Sequence, residues 1–146
     1  MNNRSKAVVP PMLVLLLSLL GCTTPAPAPP VVPQEEPEAI ARTEFTDRIE
    51  NFFEYEPLRA AKPSQFRIHL TDLNDGSPVA QAEVSLTVRR KGGGEGITQT
   101  TAKIGKVTGI YVAELSVPQS GEYDVEFHIK NQKLDERLSL TGFKVE

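Results

Sequence analysis

A two-sheet β-sandwich is the fold this sequence predicts for the larger part of the chain, on three observations. Apolar and polar residues alternate with a period of two in one segment after another between about Asn51 and Val145. Clusters of glycine, proline, asparagine and aspartate separate those segments at near-regular spacing. No segment carries a convincing helical period. About seven short strands arranged in this way give an all-β, immunoglobulin-like sandwich.

The first strand is expected near Asn51 to Glu56, where Phe53 and Tyr55 alternate with Glu54 and Glu56. A helical spacing of Phe45, Ile49, Phe52 and Phe53 competes with it, and the alternation decides for strand. The second runs from Ser64, with Phe66, Ile68 and Leu70 on one face and Gln65, Arg67 and His69 on the other. Asn74-Asp75-Gly76-Ser77-Pro78 then turns the chain into a third strand, where Ala82, Val84, Leu86 and Val88 alternate with Glu83, Ser85, Thr87 and Arg89. After the glycine-rich loop Lys91 to Gly96 comes a polar segment from Ile97 to Lys103. Two strands follow, one carrying Tyr111, Ala113, Leu115 and Val117, the other Tyr123, Val125, Phe127 and Ile129. The last strand extends from about Leu138 to Val145, and its change of parity between Leu140 and Phe143 predicts a bulge at Thr141-Gly142. Pro118 to Tyr123 resembles the corner before the sixth strand of such sandwiches, where a tyrosine hydroxyl ties back to the loop; an inward aromatic serves equally well.

The N-terminal part reads differently. Residues 1–21 have the order of an export signal, with basic Arg4 and Lys6, an apolar core through Met12 to Leu17, and a small residue at Gly21. The apolar run from Val8 to Leu20 is interrupted by Pro10 and Pro11 and falls short of the roughly 20 residues a spanning helix needs. Leu19-Leu20-Gly21-Cys22 resembles the lipobox of bacterial lipoproteins, which implies a diacylglyceryl group on Cys22 and palmitate-type acylation of the mature chain. Cys22 is the single cysteine, so the exported chain has no disulfide partner for it. The resemblance also implies a sorting rule, under which Thr23 in place of aspartate directs the protein to the periplasmic face of the outer membrane. Several acyl chains hold durably where one holds weakly.

Removing the signal removes two of the 16 basic residues and none of the 19 acidic ones, leaving a net charge of −5. Nucleic acid is not the expected partner. Six of the twelve prolines lie between Thr23 and Pro37, an extended tether reaching about 45 Å at about 3.1 Å per residue. The expected organisation is a signal peptide over 1–21, a lipidated cysteine and proline-rich linker over 22–42, and the sandwich over 43–146. About 105 residues suffice for one core without disulfides.

Catalytic chemistry is poorly supplied. The sandwich holds two histidines, His69 and His128, and no cysteine or methionine, so a soft-metal site lacks ligands. The strands carrying the two histidines are expected in opposite sheets. His69, Asp72 and His128 are the weak metal candidates, and Asp72, Asp75, Glu54 and Glu56 lack calcium-loop spacing. A solvated face explains those carboxylates better. No Lys-Ser or Lys-Thr pair follows the glycine loop, which reads as a hairpin loop instead of a phosphate cradle. No serine has nucleophile-elbow surroundings. The sequence therefore points away from an enzyme and requires no cofactor.

A longer pattern is present in Phe53-Glu54-Tyr55-Glu56-Pro57-Leu58, Lys62-Pro63-Ser64-Gln65-Phe66, His69-Leu70-Thr71-Asp72-Leu73, Ser77-Pro78-Val79 and Glu83-Val84. These residues resemble the extra N-terminal domain of some periplasmic adaptor subunits of RND-type efflux pumps, of the HlyD-like or YtkA-like kind. Thr46-Asp47-Arg48, Gly109-Ile110-Tyr111 and Gly121-Glu122-Tyr123 fit it too. The resemblance implies an accessory domain without the hairpin, lipoyl-like and barrel parts of those adaptors. On this reading the protein is a non-enzymatic, membrane-anchored periplasmic interaction module accessory to an efflux or envelope system, with a membrane and an efflux or envelope protein as partners. A periplasmic metal-binding protein is the second reading. A structural or carbohydrate-binding lipoprotein is the third, weakened by the absence of tryptophan.

Overall fold

The computed structural model describes residues 38–146. The expected signal segment, Cys22 and the expected tether up to Pro37 lie outside those residues. Nine strands occur among the described residues and no helix: β1 (Ile40–Phe45), β2 (Ile49–Tyr55), β3 (Pro63–Asp72), β4 (Glu83–Arg90), β5 (Thr98–Thr101), β6 (Lys103–Ile104), β7 (Ile110–Ser116), β8 (Gly121–Lys130) and β9 (Asp135–Val145). They form two antiparallel sheets, ordered β1-β2-β3-β7-β6 and β5-β4-β8-β9. Strands β2, β3, β7 and β6 take the places of A, B, E and D in an immunoglobulin-type sandwich, and β4, β8 and β9 those of C, F and G.

Alternation of side chains explains why the sheets pack. Along β2 every second residue is buried, Ile49, Asn51, Phe53 and Tyr55, and β3, β4, β7 and β8 bury Phe66, Ile68, Val84, Leu86, Tyr111, Phe127 and Ile129 in the same way. One core results. Its centre is Phe53, whose ring lies 4.8 Å from Phe127 of the opposite sheet and 6.2 Å from Phe66 of its own.

Three strands differ from what the sequence predicts. Strand β1 starts at Ile40, so Ile40, Ala41 and Arg42 belong to the sheet instead of the tether. Its inward positions are Ile40, Arg42 and Glu44, and one apolar residue among the three makes no apolar alternation. The polar segment from Ile97 to Lys103 divides at Ala102, giving β5 to one sheet and β6 to the other. Its residues are half-buried or exposed and are held by the ladder to β4 and by the Ala102 N–H donating to the Val84 carbonyl at 2.7 Å. This crossing closes one side of the sandwich. The other side lies between the edge strands β1 and β9 and is bridged by Arg42. Its guanidinium donates to the Thr141 carbonyl at 3.0 Å and to the Glu44 carboxylate at 2.7 Å, and lies 4.9 Å from the Phe143 ring centre. Inward-pointing charge on an edge strand is a known defence against edge-to-edge pairing. Burial pushes the Tyr55 phenol up, and Arg42 beside it pulls the other way.

The expected bulge is present. Tyr123 pairs with Phe143 and Val125 with Leu140, so Thr141 and Gly142 together oppose Asp124. Gly142 sits at φ 84°, a conformation in which a β-carbon is strained. Tyr123 is both an inward aromatic, 1% exposed, and a corner tyrosine, its hydroxyl donating to the Gln119 carbonyl at 2.8 Å.

Tyr111 makes a second tie, deeper in the core. Its hydroxyl donates to the Val79 carbonyl at 2.8 Å and accepts from the Ala82 N–H at 3.0 Å. Tyr111→Phe leaves both buried backbone groups without that partner and is expected to cost about 2 kcal/mol. Tyr123→Phe, next to solvent, is expected to cost about 1 kcal/mol. Urea midpoints of the two variants check the order; equal losses contradict the assignment.

Candidate functional site

The registers sort the loops into two ends. The chain enters β1 at the end that holds residues 56–62, 91–97 and 117–120 and the C-terminal Glu146. Residues 46–48, 73–82, 105–109 and 131–134 gather at the opposite end. There a cleft of about 280 Å³ opens between the β3–β4 and β8–β9 loops. Asp72, Ser77, Pro78, Val79, Ala80 and Gln81 form one wall, and Asn131 to Leu134 form the other.

Local hydrogen bonds shape both walls. The Asp72 carboxylate accepts from the Asn74 N–H at 2.9 Å and from its side-chain amide at 2.8 Å, and the Asp75 carboxylate accepts from the Ser77 N–H at 2.9 Å. These are the Asx turns that Asp and Asn favour. The bonds from Ser77 hold the Asp75 carboxyl below its usual range, with a smaller contribution from Lys133. On the other wall the Asn131 side-chain oxygen accepts from the Lys133 and Leu134 N–H groups at 2.8 and 3.0 Å. Its amide donates across the cleft to the Ala80 carbonyl at 3.2 Å, joining the walls. Arg48 reaches in from the β1–β2 turn and donates to the Lys133 carbonyl at 2.9 Å.

Buried Val79 and Leu134 line the cleft alongside carboxylate, ammonium and amide groups from Asp72, Lys133, Gln81 and Gln132. Gln81 holds φ 51°, a left-handed backbone uncommon for a residue with a side chain, beside the Ala82 N–H that Tyr111 fixes. The lining includes the Ser77 hydroxyl but no histidine or cysteine to activate it. The arrangement suits hydrogen bonding and charge pairing to a bound group.

The sequence candidates fall in separate places. His69 points outward from the five-stranded sheet and meets the Phe52 ring edge-on at 5.3 Å, its Nε2 buried and without a partner. Asp72 ends the same strand with opposite parity and lines the cleft. His128 lies on the outer face of the four-stranded sheet, 2.6 Å from Asp135. That hydrogen bond, then the one from Lys130, holds the Asp135 carboxyl below its usual range. The structure thus brings none of His69, Asp72 and His128 together. Among the described residues no group of three His, Cys, Asp or Glu side chains is placed to hold a metal ion. Glu54 and Glu56 lie near the end where the chain enters, away from Asp72 and Asp75.

The outer face of the four-stranded sheet is laced by its own ion pairs. Glu126 meets Arg137 at 3.1 Å and Arg89 at 3.9 Å, and Lys130 meets Asp135 at 3.1 Å. The glycine loop folds onto the same charges: Lys91 pairs with Glu122, the Gly92 N–H donates to the Asp124 carboxylate at 3.3 Å, and Arg89 donates to the Gly94 carbonyl at 3.1 Å. It is a hairpin loop between β4 and β5.

Sequence reasoning misses the cleft, since its walls lie about fifty residues apart in the chain. Asn131, placed directly after an alternating strand, is the one local signal for its second wall. Comparisons with family models, with characterised proteins and with solved structures found no match to this chain.

Proposed function

We propose that this protein is a non-enzymatic, lipid-anchored interaction module of the bacterial envelope, held through Cys22 at the periplasmic face of the outer membrane and accessory to an efflux or envelope system. The end cleft is its contact site. The observation that carries this reading is the placement of that cleft opposite the end where the chain enters the sandwich. A tether joined at one end leaves the other free to meet a partner. The resemblance to the accessory domain of RND-type adaptors supports an efflux component as that partner. The lining of mixed charge and amide groups over Val79 and Leu134 supports recognition of a protein loop.

The experiment is site-specific photo-crosslinking in cells, with the photoreactive residue at Gln132 in the cleft or at Lys144 near the opposite end, followed by mass spectrometry of the products. The reading predicts an efflux or envelope protein joined at Gln132 and not at Lys144. No product, or the same product from both positions, together with unchanged drug and metal tolerance on deletion, would overturn it.

A further inference from the structure

The two outer faces of the sandwich are built differently. The face of β5-β4-β8-β9 satisfies its charges internally, as described above. The face of β1-β2-β3-β7-β6 carries a row Thr43–Phe52–His69–Ile110 across four strands. Phe45 stands beside it at 62% exposure. Val107, at 60% exposure, adjoins a shallow hollow shared with His69, Thr71, Pro78 and Ile110. A neighbouring row runs Ala41–Glu54–Arg67–Val112–Lys103. Acidic groups on this face thus sit on β2, at Glu50 and Glu54, and a basic group sits beside them on β3, at Arg67. Glu114 of β7 lies further along, opposite Gln65.

We infer that this face binds a second copy of the same chain about a two-fold axis running between β2 and β3, parallel to the strands. Rotation about such an axis keeps every residue in its own row and exchanges β2 with β3 and β1 with β7. Glu54 of one copy then meets Arg67 of the other, and Phe52 meets His69. Thr43 and Ala41 cover Ile110 and Val112. A two-fold interface requires a patch complementary to itself, and an acidic strand beside a basic one, with an aromatic row between them and the exposed rim, meets that condition. The unpartnered His69 Nε2 lies within the row and gains a neighbour from the facing copy.

Four facing strands at about 4.8 Å spacing and about six residues at about 3.3 Å rise give a footprint of roughly 400 Å² per copy. That is about half of a standard interface, so the association is reversible and weak. Capture in the cell therefore reports it better than isolation of a stable dimer.

Packed sheets lie about 10 Å apart, too far for a direct disulfide between facing residues but within reach of a short bifunctional thiol reagent. Cells expressing the full chain in two differently tagged copies are treated with such a reagent after Phe52→Cys or, on the opposite face, Arg137→Cys. The inference predicts a product joining the two tags from Phe52→Cys and little from Arg137→Cys. Adding Glu54→Arg to Phe52→Cys is expected to lower the yield about tenfold, equivalent to about 1.4 kcal/mol. Adding Arg67→Glu as well restores it by exchanging the charges. The restored double exchange keeps the test decisive should Glu54→Arg alone disturb folding. Equal yields from the two cysteine positions, a product containing a different protein in place of the second tag, or no restoration by the double exchange would each overturn the inference.

Discussion

Replacing Phe53 with alanine is expected to remove about 4 kcal/mol of stability, within the range for buried phenylalanine truncations. The ring is fully buried and joins the two sheets. It lies 4.8 Å from Phe127 and 6.4 Å from Phe143 of the four-stranded sheet, and 6.2 Å from Phe66 and 6.0 Å from Tyr55 of its own. Truncation leaves a cavity between rings that are fixed by the pleat of their strands, so the site collapses poorly. Domains are stable by about 5–15 kcal/mol, so this loss is a large share of the total. Urea titration checks it: the midpoint should fall with little change in slope. A loss below about 1 kcal/mol would show that the aromatic cluster does not hold the sheets together.

The second large effect has the opposite sign. Asn51 is fully buried on the inward face of β2, and neither its side-chain nitrogen nor its oxygen has a hydrogen-bond partner. Each unsatisfied buried polar group costs about 1–3 kcal/mol. Asn51→Leu removes both in a larger side chain of the same branching, adds apolar contact and suits a strand better, and a gain of roughly 2 kcal/mol is expected. Asn51 lies opposite Glu44 of β1, so the polar character of that edge strand continues one strand inward. The urea midpoint again gives the answer. A variant no more stable than the parent would mean that the amide has partners in solution that offset its burial.

Most of the sandwich is legible in the sequence because six of its strands bury one face only. In β2, β3, β4, β7, β8 and β9 apolar residues fall on alternate positions, interrupted on the inward face by Asn51 and Ser64, and even the bulge at Thr141-Gly142 follows from a change of parity. The strands that escape notice are those whose inward side chains are mostly not apolar. In β1 two of the three are Arg42 and Glu44, and a cation over the Phe143 ring replaces a core contact. Polar β5 and two-residue β6 depend on backbone pairing to neighbours chosen by the fold. That is why nine strands stand among the described residues where about seven are expected.

The candidate sites are less legible for a related reason. Which residues share a row depends on register, and register depends on distant pairings. The contact of Phe52 with His69 exists because β2 pairs with β3 at that step, and the cleft exists because Asn131 bonds to Ala80 across two loops. Composition carries no trace of either. What the residues do give in advance is the separation of His69 from His128, since alternation turns both outward and the strand order puts them in different sheets.

The lipid proposed at Cys22 would give the cleft its meaning as a contact site, by setting where the chain is fastened. Cells expressing the parent chain or Cys22→Ala, grown with a labelled fatty acid and then fractionated, test it directly. The parent should carry the label and sediment with outer membranes, and Cys22→Ala should lose the label and leave the membrane fraction. Label retained by Cys22→Ala, or a parent chain that is never labelled, would contradict the account.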